Sequence, residues 1–280
     1  MKPTTETRPL KLTDFARSLP DEVWNLFEPL LPAVVWAGNG RPPVANRPCL
    51  HAVFYILISG IAWRMLPVGF PSYRTVQRRL KLWLKQDTFL IAWTQLATRY
   101  QQLHGINWDQ ILLDGSKKPA KKGGEDTGRS PVDRGKSGTA LHIACDARAM
   151  PLAIFITGAN ANDGVQTEKV LNGLVVEVPA ADISVSDPDP RSLPRAQADG
   201  AYGNKPSQAR ALRAGFRLQA PKRGEKRPGV GKIRNPVERC HNFLAQFGRI
   251  FRRFDRVSKN DLGWAQMAAC VIFLRSGFVA

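Results

Sequence analysis

Apolar residues recur along the first hundred positions at helical spacing, and from about residue 105 they gather instead into short strand-like runs. Residues 1–18 are polar and charged and are expected to be flexible. Pro20-Asp21-Glu22 opens a helix: acids suit the positive end of the helix dipole, and Val23, Trp24, Phe27, Leu30 and Leu31 supply its apolar side. Pro32 follows its end, and the Gly/Pro-rich stretch 37–48 reads as a loop. An apolar helix is expected over 49–63. Its longest apolar run, Val53 to Trp63, is about half of the ~20 residues that a membrane span needs, so burial in protein is expected and no membrane partner. Ser72 stands where it can cap a further helix, 73–85, in which Val76, Leu80, Trp83 and Leu84 fall on one side and Arg74, Arg78, Lys81 and Lys85 on another. Helix continues, or restarts, as far as Leu103.

Beyond Asn107 the period changes. Ile111-Leu112-Leu113-Asp114 reads as a short strand ending in an acid, and the polar, Gly-rich stretch 117–137 as a mobile loop. Thr139–Cys145 and Leu152–Thr157 flank a turn at Asp146-Ala147-Arg148 and predict a hairpin. Asp163, with Gln166 three residues on, predicts a capped helix running to about Glu177. A short strand at Ile183–Val185, a helix near 206–214, a strand near Phe216–Gln219, a basic loop over 221–236 and two closing helices, 237–256 and 262–277, complete the pattern. Strands mixed with helices in this order predict an α/β fold with a mixed sheet.

Charge adds a partner class. The chain of 280 residues carries a formal net charge of +18, which favours a polyanion held by salt-sensitive contacts. A helix, a turn and the basic helix 73–85 are similar to a helix-turn-helix reader, with Arg74, Gln77, Arg78 and Lys81 facing the nucleic acid; an amphipathic helix with a solvated basic face fits the same pattern. Cys49, Cys145, Cys240 and Cys270 are far apart and form no CxxC pair, which argues against a structural zinc site or disulfide framework and fits a reducing cytosol.

Three acids stand against this basic background: Asp114 in ILLDGS, Asp199 in QADGAYG and Glu238 in NPVERCHNF. Stepping 100° per residue from Glu238 puts Cys240, Phe243, Leu244, Phe247, Ile250, Phe251 and Phe254 on the opposite side, so Glu238 faces away from the core in what is expected to be a first helical turn. Residues 201–260 hold sixteen Lys plus Arg and only three acids, and an acid on the polar face of such a segment suits a metal ion between carboxylate and phosphate. An exposed Glu at a helix start fits too. Asp163 is the reserve if Asp199 fails. Asp146 is expected in the hairpin turn, His142 as a structural histidine, and His241 mainly as a neighbour of Glu238.

LPDEVWNLFEPLLP, the GRPP loop, HAVFYILISGIAWRMLP, SYRTVQRRLKLW, LLDGSKKPAKKGGEDTGRSPVDRGKSGTALHIACDARAMPLAI, ADGAYG and NPVERCHNFLAQFGRIFRRFD follow one another in order. Together they resemble the bacterial insertion-sequence transposases of the DDE class, in the insertion-sequence-five group, over about Leu19 to Gly277. The resemblance implies an RNase H-like five-stranded mixed sheet flanked by helices over 105–280, preceded by a helical DNA-binding region over 19–104. It implies a metal triad of Asp114, Asp199 and Glu238 holding two Mg²⁺, with Mn²⁺ as a possible substitute. The partners would be double-stranded DNA, as terminal inverted repeats and target, and a second copy of the chain assembled on that DNA. The setting would be a bacterial cytoplasm, at the nucleoid. Lys117, Lys118, Lys121, Lys122, Lys222 and Arg223 would track phosphates, and Arg239 and Arg249 would stand near the site. The alternative is a transposase-derived DNA-binding protein that has lost its chemistry.

Overall fold

The structure, a computed structural model, describes residues 10–179, 192–222 and 230–278, the side chains of 230–234 excepted. Five helices come first: α1 (Leu12–Arg17), α2 (Asp21–Phe27), α3 (Asn46–Ser59), α4 (Tyr73–Lys85) and α5 (Thr88–His104). The stretch expected to be flexible thus holds a helix, because Phe15 inserts into the core against Phe54. α3 ends at Gly60, whose φ of 68° lies in the left-handed region. Helix restarts after α4 because Asp87 takes a φ of 53°. Ser72 occupies the N-cap position of α4 but makes no side-chain cap bond there. In α4 Val76, Leu80, Trp83 and Leu84 are buried while Arg74, Arg78, Lys81 and Lys85 are exposed, so the amphipathic reading holds. The tight turn does not: 13 residues (60–72) separate α3 from α4, whereas a helix-turn-helix joins its helices through 3–4 residues.

Six strands follow, threaded with helices: β1 (Ile111–Pro119), β2 (Gly128–Arg129), β3 (Ser137–Cys145), β4 (Pro151–Gly158), α6 (Thr167–Asn172), β5 (Arg195–Gln197), α7 (Lys205–Arg213), β6 (Arg217–Gln219), α8 (Val230–Ala245), α9 (Gly248–Phe251) and α10 (Ser258–Arg275). One mixed sheet runs β4-β3-β1-β5-β6, with two-residue β2 pairing the start of β3. β4, β3 and β1 are antiparallel neighbours, and β5 and β6 run parallel to β1. Among the described residues the count is six strands rather than five because of β2. The expected loop 117–137 is partly sheet, since β1 extends to Pro119 and β2 lies within that stretch. The strand expected at Ile183–Val185 lies outside the described residues.

Helices cover both faces. α8 packs on β1 and β3 and α10 on β4, while α6 packs on β3 and β4 from the other side and α7 lies on β6. α10 also packs along α5, and a single apolar cluster runs from Phe15 through the sheet to Phe273. The final helical segment departs from expectation. α8 begins at Val230, with Pro236 inside it, and ends at Ala245; α9 restarts at Gly248. Glu238 therefore sits in the third turn and not in the first. The break has a steric cause. A Cβ on Gly248 would lie 2.7 Å from Gly60 N and Cα, so two backbones touch there and neither position has room for a side chain.

Candidate active site

Asp114 is the fourth residue of β1, opposite Ile143 of β3. Its Oδ1 accepts a hydrogen bond from Gly115 N at 2.9 Å, and its Oδ2 lies 3.7 Å from His241 Nε2 on α8. On its other edge β1 pairs in parallel with β5, Ile111 beside Ala196 and Leu112 beside Gln197. That ladder has an offset of 85 residues (196 − 111), which is also the separation of the two aspartates (199 − 114). Continued two residues past its last pair, that register would bring Asp199 to the level of Asp114. Adjacent strands lie about 5 Å apart while a ladder persists. β5 has ended by then. Ala198 N donates to Gln219 O, and Asp199 heads a turn in which its Oδ1 accepts from Ala201 N at 2.8 Å.

Glu238 is exposed on α8, three residues before His241 and so on a neighbouring strip of the same helix face. Val237, Cys240 and Leu244 carry the buried side of α8, as the helical period required. The stripe loses its phase after Phe247, where the helix breaks: Phe251 is exposed, and Arg249 and Arg253 turn inward instead. Arg249 was expected near the nucleic acid, and this is corrected. It is 3 % exposed, caged by Trp63, Phe254 and Trp264 at 4.8–5.5 Å, and burial lowers its pKa.

The other face of β1 holds a second polar group. Gly115 and His142 pair across the strands, and Asp163 approaches from the segment before α6, its Oδ1 3.5 Å from His142 Nδ1. A Cβ on Gly115 would stand 2.6 Å from that oxygen, so the glycine leaves the space that Asp163 fills. His142 is fully buried, with Nε2 2.8 Å from Thr157 Oγ1, while its Nδ1 is buried without a hydrogen-bond partner among the described residues. Burial holds its pKa down at about 4, and the Lys117 charge adds to this. Burial raises the Asp163 pKa, Lys117 opposes that, and the negative charge of Asp199 reinforces it. Asp163 was read as a helix cap; Asn162 holds that position, accepting from Gly164 N. Asp146 belongs to the hairpin turn as expected, accepting from Arg148 N, Met150 N and the Tyr100 hydroxyl.

Of the cations expected to track phosphates, Lys121, Lys122 and Lys222 are exposed, Lys117 is half-buried, and Arg223 lies outside the described residues. Lys118 is corrected: it is buried and paired with Asp261 at 3.0 Å, because alternation along β1 turns it under α10. Arg239 is exposed, but its Nη2 donates to Arg148 O at 3.0 Å, in the hairpin turn and not at Asp114. His241, expected mainly as a neighbour of Glu238, stands beside Asp114; its place one helical turn after Glu238 is the sign of this in the sequence.

The donor chemistry at Asp114 and Asp199 suits a hard divalent cation, which takes carboxylate oxygens. Among the described residues no three acids, histidines or cysteines stand close enough together to enclose a metal ion, so Glu238 does not complete a cage with the two aspartates as the side chains stand. No helix among the described residues is long and apolar enough to cross a membrane.

Residues 19–93 match the family described as "Putative transposase of IS4/5 family (DUF4096)". The chain is 36% identical over 149 residues to the "Putative transposase for insertion sequence element IS402" of Burkholderia cepacia, an alignment covering 52% of this chain and 67% of that protein. It is 32% identical over 116 residues to the "Insertion element IS402 uncharacterized 16.2 kDa protein" of the same organism, covering 40% of this chain and 79% of that protein.

Proposed function

The chain belongs to the IS4/5 family of insertion-sequence transposases, and from that premise we propose that it binds the ends of its element and both cleaves and joins DNA strands at Asp114, Asp199 and Glu238. The observation that supports this reading is the parallel pairing of β1 with β5, whose register points Asp199, just past the end of β5, toward the level of Asp114, with α8 seated over Asp114 through His241. The antiparallel β4-β3-β1 half joined to parallel β5 and β6 is the frame expected of an RNase H-like catalytic domain.

In this mechanism Asp114 and Asp199 present carboxylate oxygens at one end of the β1–β5 seam, and Glu238 swings from the solvent side of α8 to join them when DNA arrives. Backbone N–H groups of Gly115 and Ala201 hold one oxygen of each aspartate in place. When bound there, two Mg²⁺, or Mn²⁺ in their place, supply an activated nucleophile at neutral pH and offset charge on the leaving oxygen. Water first breaks one phosphodiester P–O bond and frees a 3′-hydroxyl at the element end; that hydroxyl then attacks a target phosphodiester, forming one P–O bond as another breaks. The exposed Arg74, Arg78 and Lys81 of α4, with Gln77, read the terminal repeat, and Lys121, Lys122 and Lys222 hold phosphates. Two ends must meet for joining, so the working complex holds at least two copies.

The test is a joining assay with labelled element-end duplexes in Mg²⁺ or Mn²⁺. Asp114→Ala, Asp199→Ala and Glu238→Ala each lose joined product and keep a gel shift in EDTA. Joining that survives any one of them removes that acid from the triad. A wild-type chain that shifts DNA and never cleaves it supports the inactive, DNA-binding alternative.

A further inference from the structure

Arg239 was expected beside the catalytic acids, and its actual neighbours define a different place. A cavity of about 270 Å³ opens between the β3–β4 turn, α8 and the C-terminal end of α10. Its walls carry Arg148, Arg239 and Arg275, and its floor is apolar, with Met150, Phe243 and Phe278. Arg148 spends its Nη1 on the Tyr100 hydroxyl and Gly105 O, both at 3.1 Å, with its guanidinium 5.9 Å over the Phe278 ring. Arg239 uses Nη2 on Arg148 O. Arg275 gives Nη1 to Gln246 Oε1 at 3.2 Å, while its Nε is buried with no hydrogen-bond partner.

Each guanidinium carries five donors, so most of this set is unspent. Among the described residues none of the three forms an ion pair with a carboxylate. The acid nearest in sequence, Asp146, is engaged by the Tyr100 hydroxyl and by Arg148 N and Met150 N. Three cations around one cavity repel one another; the Asp146 charge offsets part of this at Arg148, while burial lowers the Arg275 pKa, so an anion would balance Arg239 and Arg275. Guanidinium donors match a phosphate in geometry as well as charge. A second copy of this chain, at a net charge of +18, is a poor source of that anion. The apolar floor suits the sugar or base face attached to a phosphodiester better than a free inorganic ion.

Location supports the same occupant. α8 carries His241 beside Asp114 and Arg239 at the hairpin turn. In the β1–β3 ladder the last residue before that turn, Cys145, pairs with Leu112, two residues before Asp114 and so roughly 7 Å along the strand. Arg239 and His241, two residues apart, face different sides of α8, so the pocket opens beside the Asp114 end of the sheet and on another side of the helix from His241.

We propose that the pocket of Arg148, Arg239 and Arg275 is a phosphate seat for the DNA strand next to the one position where chemistry occurs. This rests on the DNA-transposase reading, and it assigns the pocket to binding and not to catalysis. The test uses the full chain in EDTA, so that chemistry plays no part, with a fluorescent mixed-sequence duplex and anisotropy read over a series of salt concentrations. Arg239→Gln and Arg275→Gln each weaken binding by about five- to tenfold near 0.1 M salt and reduce the slope of log K against log salt by about 0.9. Arg239→Lys keeps the slope, which separates charge from the turn contact. Arg213→Gln, already neutralised by Glu168, leaves it unchanged. Slopes equal to wild type in both pocket variants overturn the seat while leaving the DNA reading standing. An equal fall in Arg213→Gln overturns it as a non-specific charge effect. A change in sedimentation with no change in DNA binding assigns the pocket to a protein contact and also overturns it. A wild-type chain that binds no duplex overturns seat and transposase mechanism together.

Discussion

His241 Nε2 lies 3.7 Å from Asp114 Oδ2, which ties α8 to β1 at the level where Asp199 follows β5. In the proposed mechanism this contact would make the histidine a positioning residue for Asp114, one helical turn from Glu238. His241→Ala is expected to lower joining by roughly 10²-fold and Asp114→Ala by roughly 10³-fold or more, the effects of a double variant being far from additive because the residues act as a unit. Duplex affinity in EDTA stays near wild type in both. Full joining by His241→Ala would reduce its contact with Asp114 to packing.

Gly248 is a position where two physical arguments give opposite signs. Helix propensity says that Ala is better by about 1 kcal/mol. The backbone of Gly60 within 2.7 Å of the new Cβ says that Gly248→Ala costs about 1–3 kcal/mol through overpacking. We expect the second to win, with a lower Tm. Gly60→Ala is expected to do at least as much harm, since its φ of 68° adds strain to the clash. A raised Tm for Gly248→Ala would show that α3 and α9 part easily.

The buried pair Lys118–Asp261 binds β1 to α10, with Arg253 Nε 4.0 Å from the same carboxylate. Removing one partner strands the other, so Lys118→Ala is expected to cost about 3 kcal/mol at pH 7 in urea unfolding. Burial raises the Asp261 pKa and Lys118 opposes that. An acid with a raised folded pKa withdraws stability as pH rises through that pKa. The deficit of Lys118→Ala is therefore largest at neutral pH and shrinks on acidification. A deficit independent of pH would point to lost packing alone.

His142 sets part of the acid limb. Its folded pKa of about 4 lies below the ordinary 6.5, so the unfolded chain binds the proton first, and stability present above pH 6.5 is lost as pH falls toward 4. The full effect is about 3 kcal/mol. Asp163, whose pKa burial raises, acts in the opposite sense, gaining stability as pH falls, and Lys117 faces both. His142→Gln is expected to flatten the fall in stability between pH 6.5 and 4, and Asp163→Asn to steepen it. Unfolding curves with equal pH slopes in all three proteins would exclude this assignment.

The chain's own pattern was enough to give the amphipathic α4, the β3–β4 hairpin with Asp146 in its turn, and the outward direction of Glu238, because each follows from a local period that folding does not change. Lys118 and Arg249 were misread because charge alone says little about burial. Lys118 goes inward through β alternation continued into a stretch that looked like loop, and Arg249 through a helix break that resets the phase of its neighbours. That break belongs to a contact between Gly60 and Gly248, which are distant in sequence. The 85-residue interval between Asp114 and Asp199 was legible from the start, but its meaning was not. Only the parallel pairing of β1 with β5 gives that separation a spatial sense, because 85 is also the register of the two strands, and hydrogen-bond register is a property of the assembled sheet.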